Sequence, residues 1–141
     1  MKVLIVEAPY YEDISTELYA GAVDEIQRQG AECERLTVPG ALEIPGAIRL
    51  AADAGVADAF VALGCVIRGE TSHYDYVCSE SARGLMELTL KDRLAVGNGI
   101  LTVENRDQAW ARASREQKNK GRDAANAAIT LAGLKQKFGL T

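Results

Sequence analysis

The sequence has 141 residues, of which 48% are apolar and 26% charged, the proportions of one globular domain spanning 1–141 rather than of a disordered or fibrous chain. Sixteen basic residues against twenty acidic ones leave a net charge of -4, which speaks against a nucleic-acid partner. The single histidine, His73, excludes a multi-histidine metal site, and no metal is expected. In chain order, Val3–Val6 is a short apolar run with strand character, and Pro9 ends it. Ile14, Leu18, Ala22 and Ile26 recur at helical spacing across 13–29, and Gly30 stops them. Residues 32–38 read as a second strand closed by Pro39-Gly40. Residues 43–54 read as a helix with Pro45 in its first turn and Gly55 after its end. Ala59–Ile67 is an apolar run suited to a strand covered on both faces. A long helix is expected over 72–91, with Val77, Cys78, Ser81, Ala82, Leu85 and Leu88 on its inner face. Leu94–Thr102 is a fourth strand, and helices follow at about 105–115 and 120–138.

This alternation predicts an α/β fold, a flavodoxin-like three-layer α/β/α arrangement around a four-stranded parallel sheet. Ligands in such folds bind beyond the carboxyl ends of the strands. The three cysteines, Cys33, Cys65 and Cys78, form no CxxC pair and do not read as a disulfide framework. No stretch is long enough to span a membrane, and MKVLIVEA is too short an apolar run for a signal peptide. A cytoplasmic location is therefore expected. Charge is unevenly placed: residues 1–101 carry 8 basic and 16 acidic side chains, residues 102–141 carry 8 and 4. The basic end fits either an anionic ligand or self-association, or simply a pair of solvated helices.

The unusual polar residues cluster where strands are expected to end: Ala8-Pro9-Tyr10-Tyr11, Val38–Glu43, Arg68–His73 and Thr102-Val103-Glu104. In the third of these, Gly69 frees the backbone to turn. Thr71 or Ser72 can cap the next helix, whose first N–H groups suit an anion. The pattern is not a P-loop, because GxxxxGK[ST] is absent. His73, beside that cradle, belongs to the residue type that exchanges protons near neutrality. Glu43 can accept hydrogen bonds from a polyhydroxyl chain or simply complement a helix dipole. Tyr10 can stack on a planar ligand, and Trp110 reads as packing. Arg112 can hold a phosphate bidentately and Lys120 as a point charge, or both can be solvated.

Val38-Pro39-Gly40-Ala41-Leu42-Glu43-Ile44-Pro45, Leu63–Val77, Gly99-Ile100-Leu101-Thr102 and Asn119-Lys120-Gly121 occur in order along nearly the whole chain. Together they resemble the 6,7-dimethyl-8-ribityllumazine synthase family, and the Ile-Arg-Gly-Glu-Thr-x-His segment at 67–73 is the most specific part. The resemblance implies condensation of a ribitylamino-aminopyrimidinedione with 3,4-dihydroxy-2-butanone 4-phosphate, the penultimate step of riboflavin formation, without metal or organic cofactor. It implies that Tyr10 stacks on the pyrimidine, that Ala41, Leu42 and Glu43 hold the ribityl chain, and that Val66 and Ile67 flank the heterocycle. Gly69, Glu70 and Thr71 would meet the phosphate, with Arg112 coming from a neighbouring subunit. His73 would transfer protons, and Lys120 would lie near the pocket.

Three departures stand out. Ala8-Pro9-Tyr10-Tyr11 replaces the family's usual Ala-Arg-Phe-Asn, and Asn98 replaces a phenylalanine that the adjacent subunit usually presents to the pyrimidine. Ser114–Lys118 replaces a glycine-containing turn of the shell-forming members, and the segment before the first strand is nearly absent. The expectation is a homo-oligomer, a pentamer rather than a sixty-subunit shell, with active sites between subunits and small molecules as substrates. The basic balance after residue 101 then reads as an interface feature. The alternatives are a catalytically weak lumazine- or flavin-binding relative and, further off, a generic mononucleotide-binding or signalling domain.

Overall fold

The four expected strands are present as β1 (Lys2–Glu7), β2 (Glu32–Thr37), β3 (Ala59–Ile67) and β4 (Val96–Val103). Five helices join and follow them: α1 (Glu12–Arg28), α2 (Ile44–Asp53), α3 (His73–Leu90), α4 (Arg106–Ala113) and α5 (Lys120–Lys137). A single 3₁₀ turn, Ala41–Glu43, precedes α2. This computed structural model describes residues 1–140. The strands pair in the order β2-β1-β3-β4, all parallel.

The sheet is covered on both faces. Val3, Ile5, Val61 and Leu63 point to one side and meet Ile14, Leu18, Ala22 and Ile26 of α1 with the alanines of α4 and α5. Leu4, Val6, Phe60 and Ala62 point to the other and meet Ile44 and Ile48 of α2 with Val77, Leu85 and Leu88 of α3. The period-two alternation of β1 and β3 thus feeds two cores. The expected three-layer α/β/α architecture is the observed one. β2 is an edge strand whose Glu32 and Glu34 are exposed, with Glu34 paired to Lys2 at 2.6 Å. Such charges discourage pairing with a stray strand.

The boundaries expected from sequence shift by a residue or two. β4 begins at Val96 rather than at 94, and β2 ends at Thr37. Gly30 and Gly55 do stop α1 and α2, each at positive φ (77° and 70°), as helix-terminating glycines do. Val77, Ser81, Leu85 and Leu88 form the inner face of α3; of the other expected inner positions, Cys78 is only half-buried and Ala82 is exposed. Its place on the helical wheel lies at the flank of that stripe, where the sheet no longer reaches. Trp110 is 42% exposed, so it packs only in part.

Close approach holds α5 in place. A Cβ on Gly97 would lie 1.8 Å from the carbonyl oxygen of Ala124, and one on Gly121 would lie 2.1 Å from that of Leu18. Backbone therefore rests on backbone, both between α5 and β4 and between α5 and α1. Among the described residues, no helix is long and apolar enough to cross a membrane.

Gly97→Ala sets a methyl group against main chain that cannot swing away. It is expected to cost about 3 kcal/mol or more, read from the urea denaturation midpoint. Gly133→Ala, in α5 with nothing within 4 Å of the new methyl, is expected to be neutral or to stabilise by about 0.5–1 kcal/mol.

Candidate active site

Parallel pairing sends all four strand ends to one rim, and a cleft of about 400 Å³ opens there. Ala8, Tyr10 and Tyr11 line it after β1, Pro39–Glu43 after β2, and Cys65, Val66 and Ile67 at the end of β3; His73 and Val77 of α3 complete it. Of the residues expected from sequence, Tyr10, Ala41, Leu42, Glu43, Val66, Ile67 and His73 therefore share one cavity. A second cavity, about 360 Å³, lies between Ala52, Phe60, Leu94, Ala132 and Lys135. Its acids are already engaged: Asp58 accepts the Lys2 backbone N–H at 2.8 Å, and Asp92 pairs with Arg49 at 2.9 Å.

Each wall has a local cause. Pro39 and Gly40 end the extended chain, and the Glu43 N–H donates to the Gly40 carbonyl at 3.1 Å, folding Ala41–Glu43 into the 3₁₀ turn. Ala41 faces inward, while Leu42 and Glu43 stand exposed at the cleft. The Tyr10 N–H donates to the Ala8 carbonyl at 3.0 Å. This tight turn leaves the Tyr10 side chain 79% exposed.

The Gly69-Glu70-Thr71 loop is exposed and does not line the cleft itself. The His73 N–H donates to the Thr71 Oγ1 at 3.3 Å, so Thr71 rather than Ser72 serves the start of α3. The reading of Gly69 needs correction. Its φ is not in the left-handed region, so the turn does not require glycine. The lack of any atom within 4 Å of its would-be Cβ instead leaves the backbone open to approach.

Arg68, which the sequence reading did not single out, is the hub of this rim. It donates to Glu104 at 2.8 Å and to Asp75 at 3.4 Å, and its guanidinium lies 4.3 Å from the Tyr74 ring centroid. It thereby ties the end of β3 to the end of β4 and to the first turn of α3. No periodicity marks such a residue, because its partners come from two separate segments, Glu104 after β4 and Tyr74-Asp75 in α3.

Asn98, Arg112 and Lys120 are not brought into the cleft of their own chain. The Asn98 Oδ1 accepts the Ile100 backbone N–H at 2.9 Å, which leaves its amide NH₂ free to donate outward. Arg112 donates to the Gln108 carbonyl at 3.1 Å. Lys120 opens α5, with Asp123 at 3.5 Å.

Burial pushes the Cys65 thiol up to about 11, and burial also raises the Tyr11 phenol. Both therefore stay protonated at neutral pH and are poor bases. Glu43 and His73 also line the cleft, and both are exposed there.

The model of the family described as 6,7-dimethyl-8-ribityllumazine synthase matches residues 1–136. A protein of that name from Zymomonas mobilis is 62% identical over 137 residues, covering 97% of this chain and 98% of its own length. The chain belongs to the 6,7-dimethyl-8-ribityllumazine synthase family. Other lumazine synthases agree: that of Sphingopyxis alaskensis is 56% identical over 138 residues (98% of this chain, 97% of its own length), and that of Bartonella henselae 55% over 141 (99% and 91%). The cleft adds Ala8, Tyr11, Pro39, Gly40, Cys65 and Val77 to the site residues expected from sequence. The signal for Cys65 and Val77 was faint, since each reads equally well as a core residue.

Because the nucleophile is the thiolate, Cys65 is expected to react with iodoacetamide at pH 8 at least about tenfold more slowly than a free cysteine thiol. The rate should climb as the pH approaches 11. Peptide mass spectrometry of quenched samples measures it, and fast labelling at pH 7 would contradict the raised thiol.

Proposed function

We propose that the chain condenses 5-amino-6-(ribitylamino)pyrimidine-2,4-dione with 3,4-dihydroxy-2-butanone 4-phosphate to 6,7-dimethyl-8-ribityllumazine, releasing phosphate and water. The observation that carries this reading is one cleft holding an exposed aromatic ring, a 3₁₀ turn that carries Glu43, and the only histidine, in a chain of this family.

The substrates' chemistry assigns a task to each wall. Tyr10 offers a face to the pyrimidinedione, and Val66 and Ile67 flank it. The backbone of Ala41 and Leu42, with the Glu43 carboxylate, suits the hydroxyls of the ribityl chain. The open backbone at Gly69 and Glu70, with the Thr71 hydroxyl, at the start of α3 suits the phosphate. The amine of the pyrimidinedione attacks the butanone carbonyl, and water leaves as the imine forms. Phosphate is then eliminated, and the second amine closes the ring with loss of a second water. His73 takes and returns protons in these steps. Holding both substrates together supplies the proximity that a bimolecular condensation lacks in water.

The reading extends to the assembly. Asn98, Arg112 and Lys120 act on a neighbouring copy's cleft, Asn98 through its free amide NH₂, Arg112 on the phosphate, and Lys120 as a nearby positive charge. The working form is a pentamer in the cytoplasm, and residues 1–141 act as one catalytic unit.

Lumazine absorbance formed from the two purified substrates tests the reaction; no acceleration over the spontaneous condensation overturns it. His73→Ala is expected to lower kcat at least about tenfold with little change in KM. Arg112→Ala is expected to raise KM for the butanone phosphate on the order of tenfold, the loss of one charged hydrogen-bonding partner, and an unchanged KM would remove Arg112 from the site. Sedimentation velocity is expected to show a particle of five chains; a megadalton particle would contradict the pentamer.

A further inference from the structure

Tyr10 is the most exposed large hydrophobic side chain in the described residues, yet a stacking wall must hold one orientation to be useful. A lone exposed ring samples several rotamers, and each ligand that needs one of them loses affinity accordingly. The neighbouring residue supplies a restraint. The Tyr11 ring meets the Tyr10 ring edge-to-face, with centroids 4.8 Å apart and planes at 76°, a favoured aromatic geometry.

Tyr11 is itself held. Its backbone carbonyl accepts the Ser15 N–H at 2.8 Å at the start of α1, and its side chain is half-buried against the core beneath. The Arg106 guanidinium lies 5.6 Å from its ring centroid, within cation–π reach. Arg106 in turn donates to the Asp13 Oδ2 at 2.7 Å. Both members of that ion pair are more than half exposed, so it adds little to stability. What it does is fix where the guanidinium sits. Arg106 also keeps the Asp13 carboxyl below its usual range, so the pair stays charged in mildly acidic solution.

We propose that Tyr11, braced by Arg106 and Asp13, is a positioning residue that holds the Tyr10 ring as the aromatic wall of the cleft. The chain Asp13–Arg106–Tyr11–Tyr10 links the first turns of α1 and α4 to the ligand. It converts an unstacked surface tyrosine into a preorganised one. The inference rests on the reading that Tyr10 stacks on the pyrimidinedione, and it goes beyond that reading by naming what orients the ring.

The test combines steady-state kinetics with isothermal titration by the pyrimidinedione alone. Tyr11→Ala is expected to raise KM and Kd for the pyrimidinedione about threefold to tenfold, the reach of one aromatic pair, while KM for the butanone phosphate stays put. Tyr11→Phe, which keeps the ring, is expected to restore pyrimidinedione binding to within about twofold. Arg106→Gln, an exposed change, is expected to raise the same constant about twofold to fivefold. In a Tyr10→Ala background, Tyr11→Ala should add nothing, because its effect runs through the missing ring. A full additive effect there means that Tyr11 touches the ligand directly and overturns the proposal. So does a Tyr11→Ala protein that binds pyrimidinedione like its parent, or one in which both KM values rise together. A parent protein that binds no pyrimidinedione overturns the functional reading itself, and the positioning role with it.

Discussion

Everything at the cleft depends on the four strands running the same way. Parallel pairing in the order β2-β1-β3-β4 makes every strand end at the same rim and every return run through a helix. The tight turn after β1, the 3₁₀ turn after β2 and the loop after β3 therefore face one another, though they lie some thirty residues apart in sequence. β1 and β3 sit at the centre, buried on both sides. The turn that carries Tyr10 is thus anchored on the strand with least freedom. In an antiparallel sheet the same residues would be divided between two opposite ends.

The second constraint is proximity. Gly97 and Gly121 let α5 lie with its backbone against β4 and α1, and the small side chains of Ala109, Ala113, Ala124, Ala125 and Ala128 complete that layer. Packing of this density leaves little slack. α1 and α4 share that layer, and Arg106 of α4 reaches Asp13 of α1 at 2.7 Å. On the opposite side of the rim, Arg68 links β3, β4 and α3. These exposed ion pairs add little to stability. Their effect is on shape: they hold loops that the cores do not reach.

The fold was legible because each strand and helix carries its own period. Ile14, Leu18, Ala22 and Ile26 announce α1, and all four are buried. Ala59–Ile67 announces the central strand and keeps those bounds. Ala82 was misread because helical spacing gives a stripe but not the width of what covers it. Much of the cleft was legible too: Tyr10, Glu43 and His73 through their chemistry just after expected strands, and Ala41, Leu42, Val66 and Ile67 through the family resemblance. Cys65 and Val77 were not, because an apolar residue at a cavity wall and one in a core look alike in sequence. Gly69 was read as freeing the backbone to turn, and only its backbone angle shows that its open surroundings are the feature that remains.

The sequence by itself determined the order of elements, the two-faced burial of β3, the rim that carries the candidate site, and the family. These follow from local periodicity and from motifs that are continuous in the chain. Tertiary structure alone decided that Arg68 is a hub, that Thr71 rather than Ser72 serves α3, that Asn98 spends its oxygen on its own strand, and that Asp13, Arg106 and Tyr11 line up behind Tyr10. The reason is physical. Hydrogen bonds and ring contacts act over a few ångströms between groups that chain order leaves far apart, and only packed helices and a paired sheet fix those distances.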